Sequence, residues 1–139
     1  MTTGFNTRSL HAGTEPDPST GARAPPIYQT SSYVFEDADT AADLYALREE
    51  GDVYSRVSNP TVRQLEARLA DLEGGVGAVA TASGMGAFDA LTTVLAQSGD
   101  NIVASSDMYG GTGSYLSTLA PRRGIEARTV PTLEYDAYA

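Results

Sequence analysis

Apolar residues recur along this chain first at helical spacing and then in short runs, and the change falls near residue 75. Val62, Leu65, Leu69 and Leu72 lie on one face of an expected helix, with Arg63, Glu66, Arg68 and Asp71 turned outward. Asn59 before Pro60 marks its start, because Asn caps well and the N–H that proline lacks would have had no partner there. Gly74 and Gly75 stop it. Residues 76–82 then read as a buried strand, and residues 85–97 as a helix with Phe88, Leu91, Val94 and Leu95 inward. A turn at Gly99-Asp100, a second strand over 101–104, a helix over 115–119 ended near Pro121, and a third strand over 125–130 complete the pattern. Such alternation predicts an α/β fold with right-handed crossovers and a parallel sheet, and places ligands beyond the carboxyl ends of the strands.

The first 35 residues carry Pro16, Pro18, Pro25 and Pro26 and are expected to form an extended, turn-rich arm rather than helix. Its apolar groups, Ile27, Tyr28, Tyr33, Val34 and Phe35, call for a surface to lie on. A second subunit and the chain's own domain both serve. Asp37 or Asp39 caps an expected helix over 40–49 that Gly51 ends, and Glu49-Glu50-Gly51-Asp52 reads as a solvated loop. Residues 1–58 are thus an N-terminal arm with one short helix, and residues 59–139 the first part of an α/β domain. After Val130 no clear element is expected. A three-stranded parallel sheet has two open edges and one bare face, so the chain reads as the front part of a longer protein.

Composition narrows the chemistry. The chain has no cysteine and one histidine, His11, which removes disulfides, thiolate metal sites, thiol nucleophiles and Ser-His pairs. His11 is expected to be a structural hydrogen-bonding group in the arm. A net charge of −9 argues against nucleic acid or an anionic membrane as partner and leaves a small-molecule ligand. With no apolar run near the roughly 20 residues of a membrane span and no apolar leader, a cytoplasmic location is expected. All nine basic residues are arginine, and lysine is absent.

Three constellations remain. Ser83-Gly84-Met85-Gly86 follows an expected strand and opens a helix, where N–H groups without intrahelical partners and the helix dipole favour an anion; a tight turn without a ligand fits equally. It is neither a dinucleotide fingerprint, since Asp89 stands where the third glycine belongs, nor a Walker loop, which needs lysine. In Asp107-Met108-Tyr109-Gly110-Gly111-Thr112 the tyrosine can stack on a flat heteroaromatic ligand or serve as a half-buried core residue. Tyr54-Ser55-Arg56 can clamp a phosphate, or Arg56 can pair with a surface carboxylate.

In order and spacing, Tyr54-Ser55-Arg56-Val57-Ser58-Asn59-Pro60-Thr61, Leu72-Glu73-Gly74-Gly75, Ala82-Ser83-Gly84-Met85 and Asp107-Met108-Tyr109-Gly110-Gly111-Thr112 resemble the Cys/Met-metabolism family of pyridoxal-phosphate enzymes. Ser9-Leu10-His11-Ala12-Gly13, Pro16-Asp17-Pro18, Gly21-Ala22-Arg23-Ala24 and Pro26-Ile27-Tyr28-Gln29-Thr30 are most similar to its O-acetylhomoserine sulfhydrylase branch, with cystathionine γ-synthase and γ-lyase close behind. The resemblance implies the start of a fold type I, aspartate-aminotransferase-like large domain. It implies that Ser83, Gly84 and Met85 seat the phosphate of pyridoxal 5′-phosphate and that Tyr109 stacks on its ring and assists proton transfer. Tyr54 and Arg56 would reach the phosphate of a neighbouring subunit's cofactor, which implies a homodimer or tetramer. The reaction implied is γ-replacement on O-acetyl-L-homoserine, an amino-acid substrate, by sulfide or a thiol, in methionine and cysteine biosynthesis.

One feature departs from the family. Its Schiff-base lysine has no counterpart here, because the chain contains no lysine at all. The polypeptide is therefore expected to be an N-terminal fragment that is inactive alone: a truncated remnant, or a piece that works beside a complementing C-terminal polypeptide. A doubly wound nucleotide-binding module is the third reading, disfavoured by the missing glycine and lysine.

The acidic, lysine-free composition also suits a high-salt cytoplasm, where like charges are screened. Thermal unfolding followed across a salt series is expected to show the melting temperature rising from dilute buffer to molar salt; an optimum in dilute buffer would sink that idea.

Overall fold

The computed structural model describes residues 4–138, which divide into two compact units, one ending at Ala80 and one beginning at Thr81. In the first unit the helices are α1 (Phe5–His11), α2 (Ala38–Tyr45) and α3 (Pro60–Glu73). The second contains α4 (Gly84–Leu95), β1 (Asn101–Ser105), α5 (Gly110–Ser114), a π turn (Tyr115–Leu119), α6 (Ala120–Arg122), β2 (Glu126–Val130) and a 3-10 turn (Tyr135–Tyr138).

The arm is not uniformly extended, because α1 forms within it. Prolines begin only at Pro16, so nothing interrupts the N–H ladder over Phe5–His11, and α1 gains a partner in α3. Arg8 pairs with Asp71 at 2.7 Å, and Arg68 donates to the Ala12 carbonyl at 3.1 Å and to Thr14 Oγ1 at 2.7 Å. Between them Gly13, at φ 67°, lies so close to α3 that a Cβ there would meet Ala67 Cβ at 2.8 Å. The side of α3 expected to face water thus receives the arm. Val62, Leu65 and Leu69, expected inward, are instead exposed.

Helix α2 is capped by Asp37, whose carboxylate accepts the Thr40 N–H at 2.7 Å. It stops at Tyr45, earlier than expected, because Leu47 takes a positive φ of 55° and the Arg48 N–H turns back to the Asp43 carbonyl. The loop at 49–52 is not wholly solvated: Asp52 is mostly buried and pairs with Arg63 at 2.6 Å. Asn59 begins α3 as expected, accepting the Thr61 N–H at 2.9 Å. Its amide also donates to the Tyr28 carbonyl at 3.0 Å, Tyr33 Oη at 3.2 Å and Ser55 Oγ at 3.0 Å, so one buried side chain ties the arm to the helix start.

The strand expected over 76–82 is absent. Val76 and Val79 are exposed, and the segment has no pairing strand among the described residues. A strand exists only where a neighbour takes its N–H and C=O groups. The sheet therefore has two strands: β1 and β2 run parallel, in register from Asn101 opposite Glu126 to Ser105 opposite Val130.

In the second unit the buried core is Tyr115, Leu116, Ala120 and Ile125, with Met85, Phe88, Ala96, Ile102 and Met108 packed around it. Helix α4 is apolar on more than one side, and the stripe turned inward runs through Met85, Phe88, Thr92 and Ala96. Leu91, Val94 and Leu95, expected inward, are exposed. The helix expected over 115–119 begins earlier, at Gly110, and its middle is π: the Ala120 N–H reaches the Tyr115 carbonyl five residues back. Pro121 has no N–H and crowds the carbonyl four residues before it, which accounts for the loosened turn. A 3-10 turn also closes the segment after Val130, where no element is expected.

A polar joint fastens α4 to this composite helix. The Tyr115 hydroxyl, buried, donates to Asp89 Oδ1 at 2.8 Å and lies 2.7 Å from Thr92 Oγ1. Arg123 pairs with Asp89 at 2.8 Å and donates to Tyr115 Oη at 2.8 Å and Thr93 Oγ1 at 3.0 Å. The Phe88 ring meets the Tyr115 ring edge-to-face at 5.2 Å. The Tyr115 hydroxyl, opposed by partial desolvation and aided by the Arg123 charge, holds the Asp89 carboxyl below its usual value.

Two outcomes follow from these contacts. Asn59→Ala removes a cap and a buried donor together and is expected to cost about 2 kcal/mol in urea unfolding, with Asn59→Asp, which keeps the cap, in between. The lowered folded-state value of Asp89 means its contribution is present above the unfolded value and is lost as pH falls through the folded one. Stability of the unmodified chain should accordingly converge with that of Asp89→Asn as pH falls into the acid range, and a constant gap from neutral to acid pH would contradict this.

Candidate functional site

The start of α4 is built by Ser83. Its backbone is extended, at φ −162° and ψ 158°, so its Oγ can turn back to accept the Gly86 N–H at 3.0 Å while its carbonyl accepts the Ala87 N–H at 3.0 Å. Thr81 Oγ1 donates to the same carbonyl at 2.8 Å and steadies the turn. Two of the first N–H groups are thereby satisfied. Those of Gly84 and Met85 have no acceptor among the described residues. They stand at the positive end of a 12-residue helix.

These groups line a cleft of about 440 Å³ whose other walls are Phe88, Tyr109 and Thr112. Tyr109 precedes α5, and 75% of its surface is exposed, so it is not a core tyrosine. Its ring lies over Gly111, where a Cβ would come within 2.5 Å of Cε1. Only glycine leaves the ring that place. The loop ahead of it is pinned at the carboxyl ends of both strands: Thr132 Oγ1 donates to Asp107 Oδ2 at 2.6 Å, and the Asp107 N–H donates to Ser105 Oγ at 3.1 Å. The site lies on the side of the parallel sheet where ligands are expected.

Ser83, Gly84, Met85 and Tyr109 are thus brought to one cleft. Tyr54 and Arg56 belong to the other unit. There Tyr54 bridges to Ser32 in antiparallel fashion, and the Val57 and Ser58 N–H groups both turn back to its carbonyl at 2.8 and 3.0 Å. This tight turn sets the Arg56 guanidinium 5.8 Å from the centre of the Tyr54 ring. Among the described residues Arg56 has no carboxylate partner. His11 accepts a hydrogen bond at Nδ1 from Arg23 at 2.6 Å, a structural contact within the arm.

Sequence reasoning passed over Thr112, Asp89, Tyr115 and Arg123. The available signal was the run of polar positions Asp89, Thr92 and Thr93 interrupting an otherwise apolar helix. The cleft also fits a phosphorylated aromatic ligand: unpaired donors lie at one end, an exposed phenol ring at one wall, and Phe88 lines it alongside them.

Comparison with known proteins identifies the family. The family model of Cys/Met metabolism PLP-dependent enzymes matches residues 6–139. An O-acetyl-L-homoserine sulfhydrylase of Thermus thermophilus is 57% identical over 125 residues, which is 89% of this chain and 30% of that protein. The homocysteine synthase of Schizosaccharomyces pombe is 49% identical over 126 residues, 91% of this chain and 29% of its own length. Among solved structures, a Campylobacter jejuni chain assigned as an O-acetylhomoserine (thiol)-lyase, with N′-pyridoxyl-lysine-5′-monophosphate at its position 205, superposes with a TM-score of 0.90 at 39% identity. That match covers 99% of this chain and 34% of that one. The chain therefore spans about a third of the length of these relatives. With its parallel strands, its helix-start cleft and a family match over nearly all its residues, this chain belongs to the Cys/Met metabolism family of PLP-dependent enzymes.

Proposed function

We propose that this chain supplies the phosphate and ring seat of a pyridoxal-phosphate enzyme that performs γ-replacement on O-acetyl-L-homoserine with sulfide or a thiol. The carrying observation is the cleft in which the unpaired N–H groups of Gly84 and Met85 share a wall system with the exposed Tyr109 ring. The names of the sulfhydrylase and homocysteine synthase relatives support the reaction.

In this reading the Gly84 and Met85 N–H groups donate to the phosphate, and Ser83 shapes the turn that frees them. The Tyr109 ring covers one face of the pyridine, and its phenol oxygen takes up or returns a proton beside the substrate. Phe88 keeps water from the wall it lines. Tyr54 and Arg56 contribute a phenol and a guanidinium to the phosphate of a neighbouring subunit's cofactor, which makes the working form an oligomer. When bound, pyridoxal phosphate supplies an electron sink for carbanionic charge on the amino-acid substrate.

The chain holds no lysine, so none of its side chains can make the family's covalent link. That amine comes from polypeptide outside these residues, and the chain alone is a binding half-site without turnover.

The binding half of this reading can be measured with 4-deoxypyridoxine 5′-phosphate, which has a ring and a phosphate but no aldehyde. Gly111→Ala forces the Tyr109 ring from its place. It is expected to weaken binding by the energy of an aromatic contact, about 0.5–1.5 kcal/mol, at an unchanged melting temperature. Equal affinity in both proteins would remove Tyr109 from the site, and no binding by the unmodified chain would remove the seat.

A further inference from the structure

The cleft has two walls that arrive on different helices. The phosphate donors sit at the start of α4, and Tyr109 sits at the start of α5. Their separation is set by how α4 is held against the composite helix running from Gly110 to Arg122, and the apolar packing of Met85 and Phe88 on the core there covers only one side of that contact. On the side where Met85, Gly86 and Asp89 face Gly111, Tyr115 and Arg123, the two helices are separated by an open cleft of about 620 Å³. Close-packed side chains do not fill it.

What spans the gap is polar and directional. One guanidinium, Arg123, reaches Asp89 at 2.8 Å and Thr93 at 3.0 Å, so it holds two residues one turn apart on α4. The Tyr115 hydroxyl lies between Asp89, Thr92 and Arg123, at 2.8, 2.7 and 2.8 Å. Its position depends on the π turn, which starts at Tyr115. Bonds of fixed direction resist both sliding and rotation of α4, which a few apolar contacts would permit.

We infer that Asp89 and Arg123 are positioning residues of the cofactor seat, fixing the Gly84 and Met85 N–H groups at a set distance from the Tyr109 ring. The inference rests on the pyridoxal-phosphate reading. Neither residue lines the cleft that receives the ligand. Their effect is transmitted along α4. A ligand that touches both walls feels it, and a ligand that touches the helix start alone does not.

That difference is the test. Binding of 4-deoxypyridoxine 5′-phosphate and of inorganic phosphate is measured by amide chemical shifts for the unmodified chain, Asp89→Asn, Arg123→Gln, the double variant and Arg123→Lys, with melting temperatures alongside. The single variants should bind the ring-bearing probe about tenfold more weakly while inorganic phosphate stays within about twofold. The double variant should be no worse than either single, because both break one joint. Arg123→Lys keeps the charge but loses the fork, and should recover part of the loss; if Arg123→Gln does not fold, it carries the comparison instead. Weakening of both probes in step with the melting temperature would reduce the joint to a structural role and overturn the inference. So would unchanged affinity for the ring-bearing probe in the single variants. An unmodified chain that fails to bind the ring-bearing probe refutes the pyridoxal-phosphate reading itself, and the inference with it.

Discussion

Two backbone N–H groups that a helix cannot satisfy internally set the terms for the second unit. Every helix start has such groups, and most are given to water or to a cap. In α4 the cap is selective: Ser83 takes the Gly86 and Ala87 N–H groups through its side chain and carbonyl and leaves those of Gly84 and Met85 directed outward. The glycine at 84 puts no side chain in front of them, and a Cβ there would meet nothing within 4 Å. An anion with several oxygens is the partner that such a pair accepts best, since it adds charge complementarity to the hydrogen bonds.

Donors alone do not select a ligand; the opposing wall does. Tyr109 is held by its surroundings rather than by its own packing. Gly111 leaves room beneath its ring, and the Ser105, Asp107 and Thr132 contacts pin the loop that delivers it. Both devices sit where parallel strands end, so the direction of β1 and β2 decides on which side the cleft opens. The network of Asp89, Tyr115 and Arg123 then couples the walls. A parallel sheet, a capped helix and a polar joint thus act on one distance.

Features written in local chemistry were readable from residues alone. The Asn59-Pro60 and Ser83-Gly84 helix starts depend on neighbours within a few positions. What failed was decided by distant partners. The segment over 76–82 has strand-like composition, yet no described strand pairs with it, and composition carries no information about pairing. Helix α4 offers two apolar stripes, through Leu91 and Leu95 or through Met85 and Phe88, and only the position of Tyr115 selects the second. Helix α3 shows the same limit in reverse: Arg68 and Asp71 read as solvent-facing until Arg8 and Thr14 arrive from more than fifty residues away. The π turn had one local sign, Pro121, but a proline there is equally consistent with a helix end.

The charge balance sharpens what Arg56 can do. A net charge of −9 repels a phosphate from the surface as a whole, so attraction must come from local positive groups at short range. Most arginines are already engaged: Arg8, Arg48, Arg63, Arg123 and Arg128 pair with carboxylates, Arg23 with His11, and Arg68 with Thr14. Arg56 instead lies with its guanidinium 5.8 Å from the centre of the Tyr54 ring and has no carboxylate partner among the described residues. Arginine is suited to hold a phosphate there and unsuited to the covalent step, because its guanidinium does not give up its proton to become a nucleophile. With nine arginines and no lysine, the chain's basic side chains can pair with anions, and none of its side chains offers an aliphatic amine.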